Sequence, residues 1–237
     1  MGRALAALLP ERPDLRLVGG FDRDAGAAME AALRTATVVI DFTSAEASAA
    51  LARRCASEGG PALVIGSTGF DAEQDAAVRS AAEQVAIVRA GNFSIGVNLL
   101  LGLVEQAARS LGSRDYDIEI LEAHHRRKVD APSGTALMLG DAAARGRSAR
   151  LADVSVRVRD GLTGPRQEGS IGFSVLRGGG IVGEHEVLFA AEDEVITFSH
   201  SARDRSLFAR GALTAAAWVA GRGPGLYDMQ DVLGLRG

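Results

Sequence analysis

Residues 37–89 read TVVIDFTSAEASAALARRCASEGGPALVIGSTGFDAEQDAAVRSAAEQVAIVR. Three short runs within them, Thr37–Phe42 (TVVIDF), Pro61–Ile65 (PALVI) and Val85–Arg89 (VAIVR), are apolar with little alternation. A strand with one wet face alternates, whereas a strand buried on both faces does not. Ala45–Ser57 and Ala72–Gln84 lie between the runs and are long enough for helices. Strands without a polar face, separated by helices, predict a parallel sheet covered on both sides.

Working outward, Arg3–Leu9 predicts a helix stopped by Pro10 and Pro13. Leu15–Phe21 (LRLVGGF) predicts a strand ending at Asp22, and Ala25–Leu33 a short helix. The first part of the chain is therefore expected to be a doubly wound, Rossmann-like α/β domain. After Asn92 the pattern changes. Ser94 is placed to cap a helix reaching about Leu111, with Leu99, Leu103 and Ala107 on its apolar stripe. Asp117–Ala123 predicts a strand and Ser133–Ala144 a helix; Val154–Arg159, Ile171–Leu176, Ile181–Phe189 and Glu194–Ser199 predict four more strands. The run Gly178-Gly179-Gly180 suits a tight turn between two of them, and the Gly-rich segment Asp160–Ser170 reads as a mobile loop. Successive strands with short turns predict a second, α+β domain with a mixed or antiparallel sheet. Arg205–Ala220 reads as a final helix returning to the first domain. The expected division is 1–93 with 205–237 for dinucleotide binding, and 94–204 for substrate binding and oligomerisation.

Composition removes several function classes. Against 30 acidic residues stand 26 cations, a net charge of −4, which gives no electrostatic footprint for nucleic acid. No apolar run approaches the roughly 20 residues that span a bilayer, and Ala4–Leu9 is too short for a signal-peptide core. The single cysteine, Cys55, excludes an intrachain disulfide framework and a Cys-based zinc site, so the expected compartment is the cytoplasm. Of the 26 cations, Lys128 is the only lysine. Arginine does not deprotonate in proteins whereas lysine can, so a lone lysine points to a task that needs its proton.

Lys128 lies in the stretch Glu122–Thr135, EAHHRRKVDAPSGT, which joins two of the four histidines and three cations to a helix start at Asp130, Pro132 and Ser133. Basic side chains meeting a helix N-terminus make an anion trap. A solvated charge run with an ordinary cap is the plainer reading; the His pair and the lone lysine weigh against it. Zinc ligation is disfavoured by adjacent ligands and neighbouring cations, and no metal is expected. A His and a Lys beside an anion site fit acid–base work on a carboxylate-bearing substrate. A second constellation follows the three strands: Asp41–Ser44 (DFTS), Gly66–Phe70 (GSTGF) and Gly91–Ser94 (GNFS). Ligands of open α/β sheets bind at the carboxyl ends of strands, so jointly these turns favour a nucleotide site. Asp22 and Arg23 add the residue types that read a ribose 2′-OH or 2′-phosphate.

The runs GSTGF, GNFSIGVNL, EAHHRRKVDAPSGTAL, IGFSVLRGGGIVGEHEV and GLYDMQDVLGL resemble, together and over nearly the whole chain, the 4-hydroxy-tetrahydrodipicolinate reductase (dihydrodipicolinate reductase) family. The resemblance implies NADH- or NADPH-dependent reduction of a cyclic imine dicarboxylate made by the preceding synthase, in the diaminopimelate route to lysine. By position, it implies that His124 is a proton donor/acceptor and Lys128 a second proton donor, and that His125, Gly134 and Thr135 touch the substrate. It assigns Gly2, Asp22, Arg23, Gly66, Ser67, Thr68, Ala90, Gly91, Asn92 and Phe93 to the cofactor, and a homotetramer formed through the second-domain sheet. One departure stands out: Gly2 resembles the last glycine of the family's G-x-x-G-x-x-G run, 20 residues before Asp22, so the first strand and leading glycines are missing. The link from Asp22 to Asp41 is also short for the family. The expectation is an internal Met taken as the start, with cofactor binding weakened until that segment is restored. The runner-up functions are a catalytically silent binding homologue without the nucleotide cradle, and a dehydrogenase for another imine or keto acid.

Overall fold

Val38–Asp41 (β1), Ala62–Ile65 (β2) and Ala86–Arg89 (β3) form in-register parallel strands in the computed structural model, which describes residues 1–22 and 26–235. Val39, Leu63 and Ile87 lie side by side and face a cluster with Ala49, Ala52, Cys55 and Val78 of helices α3 (Ala45–Glu58) and α4 (Ala72–Ala81). The next row, Ile40, Val64 and Val88, faces the opposite side. Consecutive residues thus point to opposite faces and both faces are apolar, which explains the absence of alternation. Burying Leu63, Ile65 and Ile87 completely contributes roughly 1.5–3 kcal/mol each. Ser44 caps α3 by accepting from the Ala47 N–H, and Asp71 with Gln74 closes a capping box on α4. Helices α1 (Gly2–Leu8) and α2 (Gly26–Thr35) precede β1.

Leu15–Phe21 is not a strand. It has no ladder partner among the described residues, and β1 is the edge of its sheet. An extended segment is held as a strand only by exchanging backbone hydrogen bonds with a neighbour. Without one, Leu17 is left 59% exposed.

The second unit spans Gly96–Arg205. It is built on α5 (Ile95–Ser110), β4 (Asp117–His124), α6 (Gly134–Gly146), α7 (Leu151–Val154), β5 (Ser155–Val156), β6 (Ile171–Arg177), β7 (Gly183–Ala190) and β8 (Val195–Ala202). Its mixed sheet has the order β5-β6-β4-β7-β8, with β5, β6 and β4 parallel and β7 and β8 antiparallel. Ile118, Ile120, Phe173, Val187 and Phe189 pack on one face with Leu139 of α6 and Val104 of α5.

Three details differ from expectation. The buried stripe of α5 is Val97, Leu100, Leu101, Val104 and Ala108, whereas Leu99 and Leu103 are 44% and 40% exposed. The helix is apolar around most of its girth, so periodicity did not choose the face. Val154–Arg159 gives only the two-residue β5, because Val154 ends α7 instead. The triple-glycine run makes the expected turn between β6 and β7, and because β4 lies between those strands the run crosses the end of β4. There the Gly178 N–H donates to the His124 carbonyl and the Arg126 N–H to the Gly179 carbonyl. The loop 160–170 is pinned by Arg166, which pairs with Asp117 and Glu119 and donates to the Ile118 carbonyl.

The chain then rejoins the first unit, Met1–Ile95 with Ser206–Gly237, through α8 (Ser206–Val219), β9 (Gly225–Tyr227) and α9 (Met229–Val232). β9 extends the parallel sheet to β1-β2-β3-β9, and Ala212, Ala215 and Val219 of α8 cover its second face. This is the doubly wound arrangement that the strand runs predicted, beside a mixed α+β sheet.

Candidate active site

Alternation along β4 places Ile118, Ile120, Glu122 and His124 on its buried face. Two of these are polar. The register sets Glu122 opposite His185 on β7 and His124 opposite Arg177 on β6. The Glu122 side chain, 1% exposed, accepts from His124 Nδ1 at 2.6 Å and from both terminal nitrogens of Arg177 at 2.7 Å. It also accepts from the Ser133 N–H at 2.9 Å. Ser133 in turn is the N-cap of α6, its Oγ accepting from the Ala136 N–H and lying 3.1 Å from His185 Nε2. One buried carboxylate therefore orients the histidine and fastens the start of α6 to the sheet. His124 and His185 meet edge to face with ring centroids 5.1 Å apart.

The electrostatics follow from burial and these partners. Burial by itself would raise the Glu122 carboxyl; Arg177, His124 and the Ser133 N–H outweigh it and hold the acid below the usual carboxylate range. Burial lowers His124, and Lys128 and Arg177 push the same way, against the raising influence of Glu122. His124 is thus neutral at rest. Since a carboxylate only accepts, Nδ1 carries the hydrogen and Nε2 is the basic end. Gly183 faces that nitrogen, where a Cβ would stand 3.1 Å from Nε2, so glycine keeps it uncrowded.

His185 is driven down to about 4, first by burial and then by His124. Between that value and its ordinary 6.5 the unfolded chain binds a proton that the folded chain refuses. The stability linked to His185 is complete above its unfolded pKa and drains away as pH falls toward about 4, in total about 3 kcal/mol. Urea unfolding at pH 7.5 and 4.5 should show this loss, and His185→Asn should reduce it, leaving the part due to His124 and His200, which burial also lowers. A wild-type stability that stays level across the window contradicts the assignment.

Lys128 Nζ lies 2.9 Å from Asp130 Oδ1. Its backbone N–H donates to the His125 carbonyl, closing the turn that follows β4. His124, His125, Lys128, Gly134 and Thr135 therefore belong to one strand end, the turn after it and the helix start tied back to it by Glu122.

In the first unit, the turns after β1, β2 and β3 stand at the carboxyl ends of neighbouring parallel strands. The Gly66 N–H donates to the Asp41 carbonyl at 2.8 Å and the Ala90 N–H to the Ile65 carbonyl at 3.2 Å. Gly66 is required by close approach, since a Cβ there would fall 2.1 Å from the Phe42 ring, which packs edge-on against Phe93. Ser67, Asn92 and Phe93 are buried, whereas Thr68 and Gly91 are exposed. Phe93 belongs to the core beneath the turn, so only its backbone is left to meet a ligand. Gly2 opens α1 and Asp22 is exposed in the segment before α2; Arg23 lies outside the described residues. Sequence reasoning gave no role to Glu122, Arg177 or His185; it placed Ser133 only at a helix start, and Asp41 and Thr43 only within a strand-end turn. Polar residues on the buried phase of an apolar alternating strand were the signal for Glu122.

Residues 1–93 match the family profile described as dihydrodipicolinate reductase, N-terminus, and residues 96–233 that described as dihydrodipicolinate reductase, C-terminus. A 4-hydroxy-tetrahydrodipicolinate reductase from Caulobacter vibrioides is 62% identical, the alignment covering 100% of this chain and 94% of the relative. One from Dinoroseobacter shibae is 61% identical over 86% of this chain and 75% of the relative. The fold matches a solved structure described as dipicolinate-bound dihydrodipicolinate reductase from Paenisporosarcina sp. TG-14, with a TM-score of 0.78, 24% identity, and coverage of 97% and 94% of the two chains.

Proposed function

This chain belongs to the dihydrodipicolinate reductase family, and from that premise we propose that it reduces 4-hydroxy-tetrahydrodipicolinate to tetrahydrodipicolinate with NADH or NADPH. The observation that carries the reading is the double attachment of Glu122, to His124 and to the cap of α6. It puts a proton carrier and an anion-binding helix start on one rigid support. The start of α6, where the helix dipole favours negative charge, suits a substrate carboxylate, and Gly134 and Thr135 are the residues there assigned to it. His125 is assigned to the substrate as well. A dianion placed here reverses the influence of Lys128 and Arg177 on His124 and favours its protonated form. His124 Nε2 then holds a proton to give to the ring, and Lys128 Nζ holds the second.

The strand-end turns fit a nicotinamide cofactor in their chemistry, with Thr43, Thr68 and Gly91 exposed and the close approach that Gly66 allows. Gly2, Asp22, Arg23, Gly66–Thr68 and Ala90–Phe93 are the residues assigned to hold it. When bound, the cofactor would supply the hydride; loss of the 4-hydroxyl group as water and the uptake of one net proton balance the conversion to tetrahydrodipicolinate, which keeps one ring double bond. Residues 1–93 with 205–237 act as the dinucleotide domain and 94–204 as the substrate and oligomerisation domain. Asp22 suits the ribose 2′-OH of NADH and Arg23 the 2′-phosphate of NADPH, so Arg23→Ala should weaken NADPH selectively. Equal weakening of both cofactors in a binding titration would assign Arg23 to loop structure instead.

The outer face of the mixed sheet leaves Leu121, Leu176 and Val195 exposed. A homotetramer joined through this face covers them. Light scattering should give four copies for the wild type and fewer for Leu121→Asp; a wild-type monomer contradicts the proposal. No helix among the described residues is long and apolar enough to cross a membrane, and the free, buried Cys55 fits a reducing cytoplasm. The function itself is tested by NADPH oxidation with freshly made synthase product. Turnover of other cyclic imines or keto acids, but not of this compound, would overturn it.

A further inference from the structure

We propose that Asp41 sets the hydrogen-bond polarity of the cofactor turns, so that Thr43 and Ser67 meet the bound dinucleotide as acceptors and take from it a donor group, an amide N–H or a sugar hydroxyl. The inference rests on the reading that these turns hold the cofactor. Asp41 ends β1, is 5% exposed, and uses both carboxylate oxygens. Oδ1 accepts from the Thr43 N–H at 2.8 Å and from the Thr43 hydroxyl at 2.6 Å. Oδ2 accepts from the Ser48 hydroxyl at 2.5 Å. Ser48, wholly buried in α3, lies 2.6 Å from Ser67 Oγ in the turn after β2.

A hydroxyl has one proton to give. A carboxylate only accepts, so the Ser48 proton is committed to Asp41, and the Ser48–Ser67 bond must use the proton of Ser67. The relay therefore runs Ser67 to Ser48 to Asp41 and cannot run the other way while Asp41 is ionised. The Thr43 proton is committed to Asp41 as well. Both hydroxyls at the strand ends are left with lone pairs alone, and a donor group on the ligand is what they complement. A buried donor facing another donor would be left unpaired, which is costly, so the polarity selects as well as binds. Asp41 touches no ligand in this scheme; it is a positioning residue acting through Thr43 and Ser67.

Asp41→Asn keeps the shape and reverses half of the relay. The amide oxygen can still serve Thr43, but its N–H₂ now donates to Ser48, Ser48 donates to Ser67, and the Ser67 proton turns outward. NADPH binding by the full chain, followed by calorimetry, should weaken about tenfold or more in Asp41→Asn. Adding Ser67→Ala to that variant removes the misdirected proton and should recover part of the loss, which a purely structural role for Asp41 would not produce. Ser48→Ala, which leaves Asp41 in place but removes the bond to its Oδ2 and frees the Ser67 proton, should also weaken binding and serves if Asp41→Asn does not fold. The reduced acetylpyridine analogue, which lacks the amide N–H, identifies the donor. If the analogue binds the wild type more weakly than NADPH does, and the gap closes in the variants, the donor is the amide. Equal losses for both cofactors assign it to a sugar hydroxyl. Unchanged NADPH affinity in Asp41→Asn or Ser48→Ala, or no recovery in the double variant, overturns the inference. Wild-type protein that binds neither NADH nor NADPH overturns the cofactor reading beneath it.

Discussion

Lys128→Arg is expected to fold, to keep a KM near that of the wild type, and to lose about 10²–10⁴ in kcat. The substitution keeps the positive charge beside Asp130, whose Oδ1 lies 2.9 Å from the lysine nitrogen. It removes only the ability to surrender a proton, because a guanidinium is far too weak an acid. The composition of the chain sharpens the point, since 25 of its 26 cations are already arginine. Steady-state kinetics on one preparation separate the two properties, charge in KM and proton transfer in kcat. A variant retaining most of its kcat would show that Lys128 serves as a charge alone.

The second large effect is expected at His124. Its Nδ1–H is committed to Glu122, so the exchangeable proton is at Nε2, and His124→Ala removes that carrier. The turnover number should fall by about 10²–10⁴ with a smaller change in KM, as for a lost general acid. Glu122 keeps Arg177 and the Ser133 N–H in the variant, so the start of α6 should stay fastened to the sheet. A rise in KM with kcat intact would move His124 to the substrate-holding role assigned to His125.

How much of this was legible in the sequence depended on whether a signal was local. The sheet of the first unit was, because Thr37–Phe42, Pro61–Ile65 and Val85–Arg89 are apolar on both phases and only a twice-covered strand needs that. Leu15–Phe21 has the same local look, yet a strand is a property of pairs, and its partner is not among the described residues. The triple glycine was legible as a turn between two strands, but nothing in it records that β4 inserts between β6 and β7. At the candidate site, His124, His125 and Lys128 were singled out from their own chemistry within one run. Their supports were not, because Arg177 and His185 arrive on other strands, and only the register places them beside His124 and Glu122. Asp41 and Ser67 are 26 residues apart in sequence and are joined through Ser48, a contact that exists only once α3 packs on the sheet.

The most direct test of the reductase assignment follows the hydride itself. The wild-type chain would be given the synthase product and NADPH carrying deuterium at both C4 positions, and the product analysed by mass spectrometry. The account predicts tetrahydrodipicolinate bearing one deuterium, formed in step with NADPH consumption. NADPH left unconsumed by the folded protein, or consumed without label in the product, would contradict it.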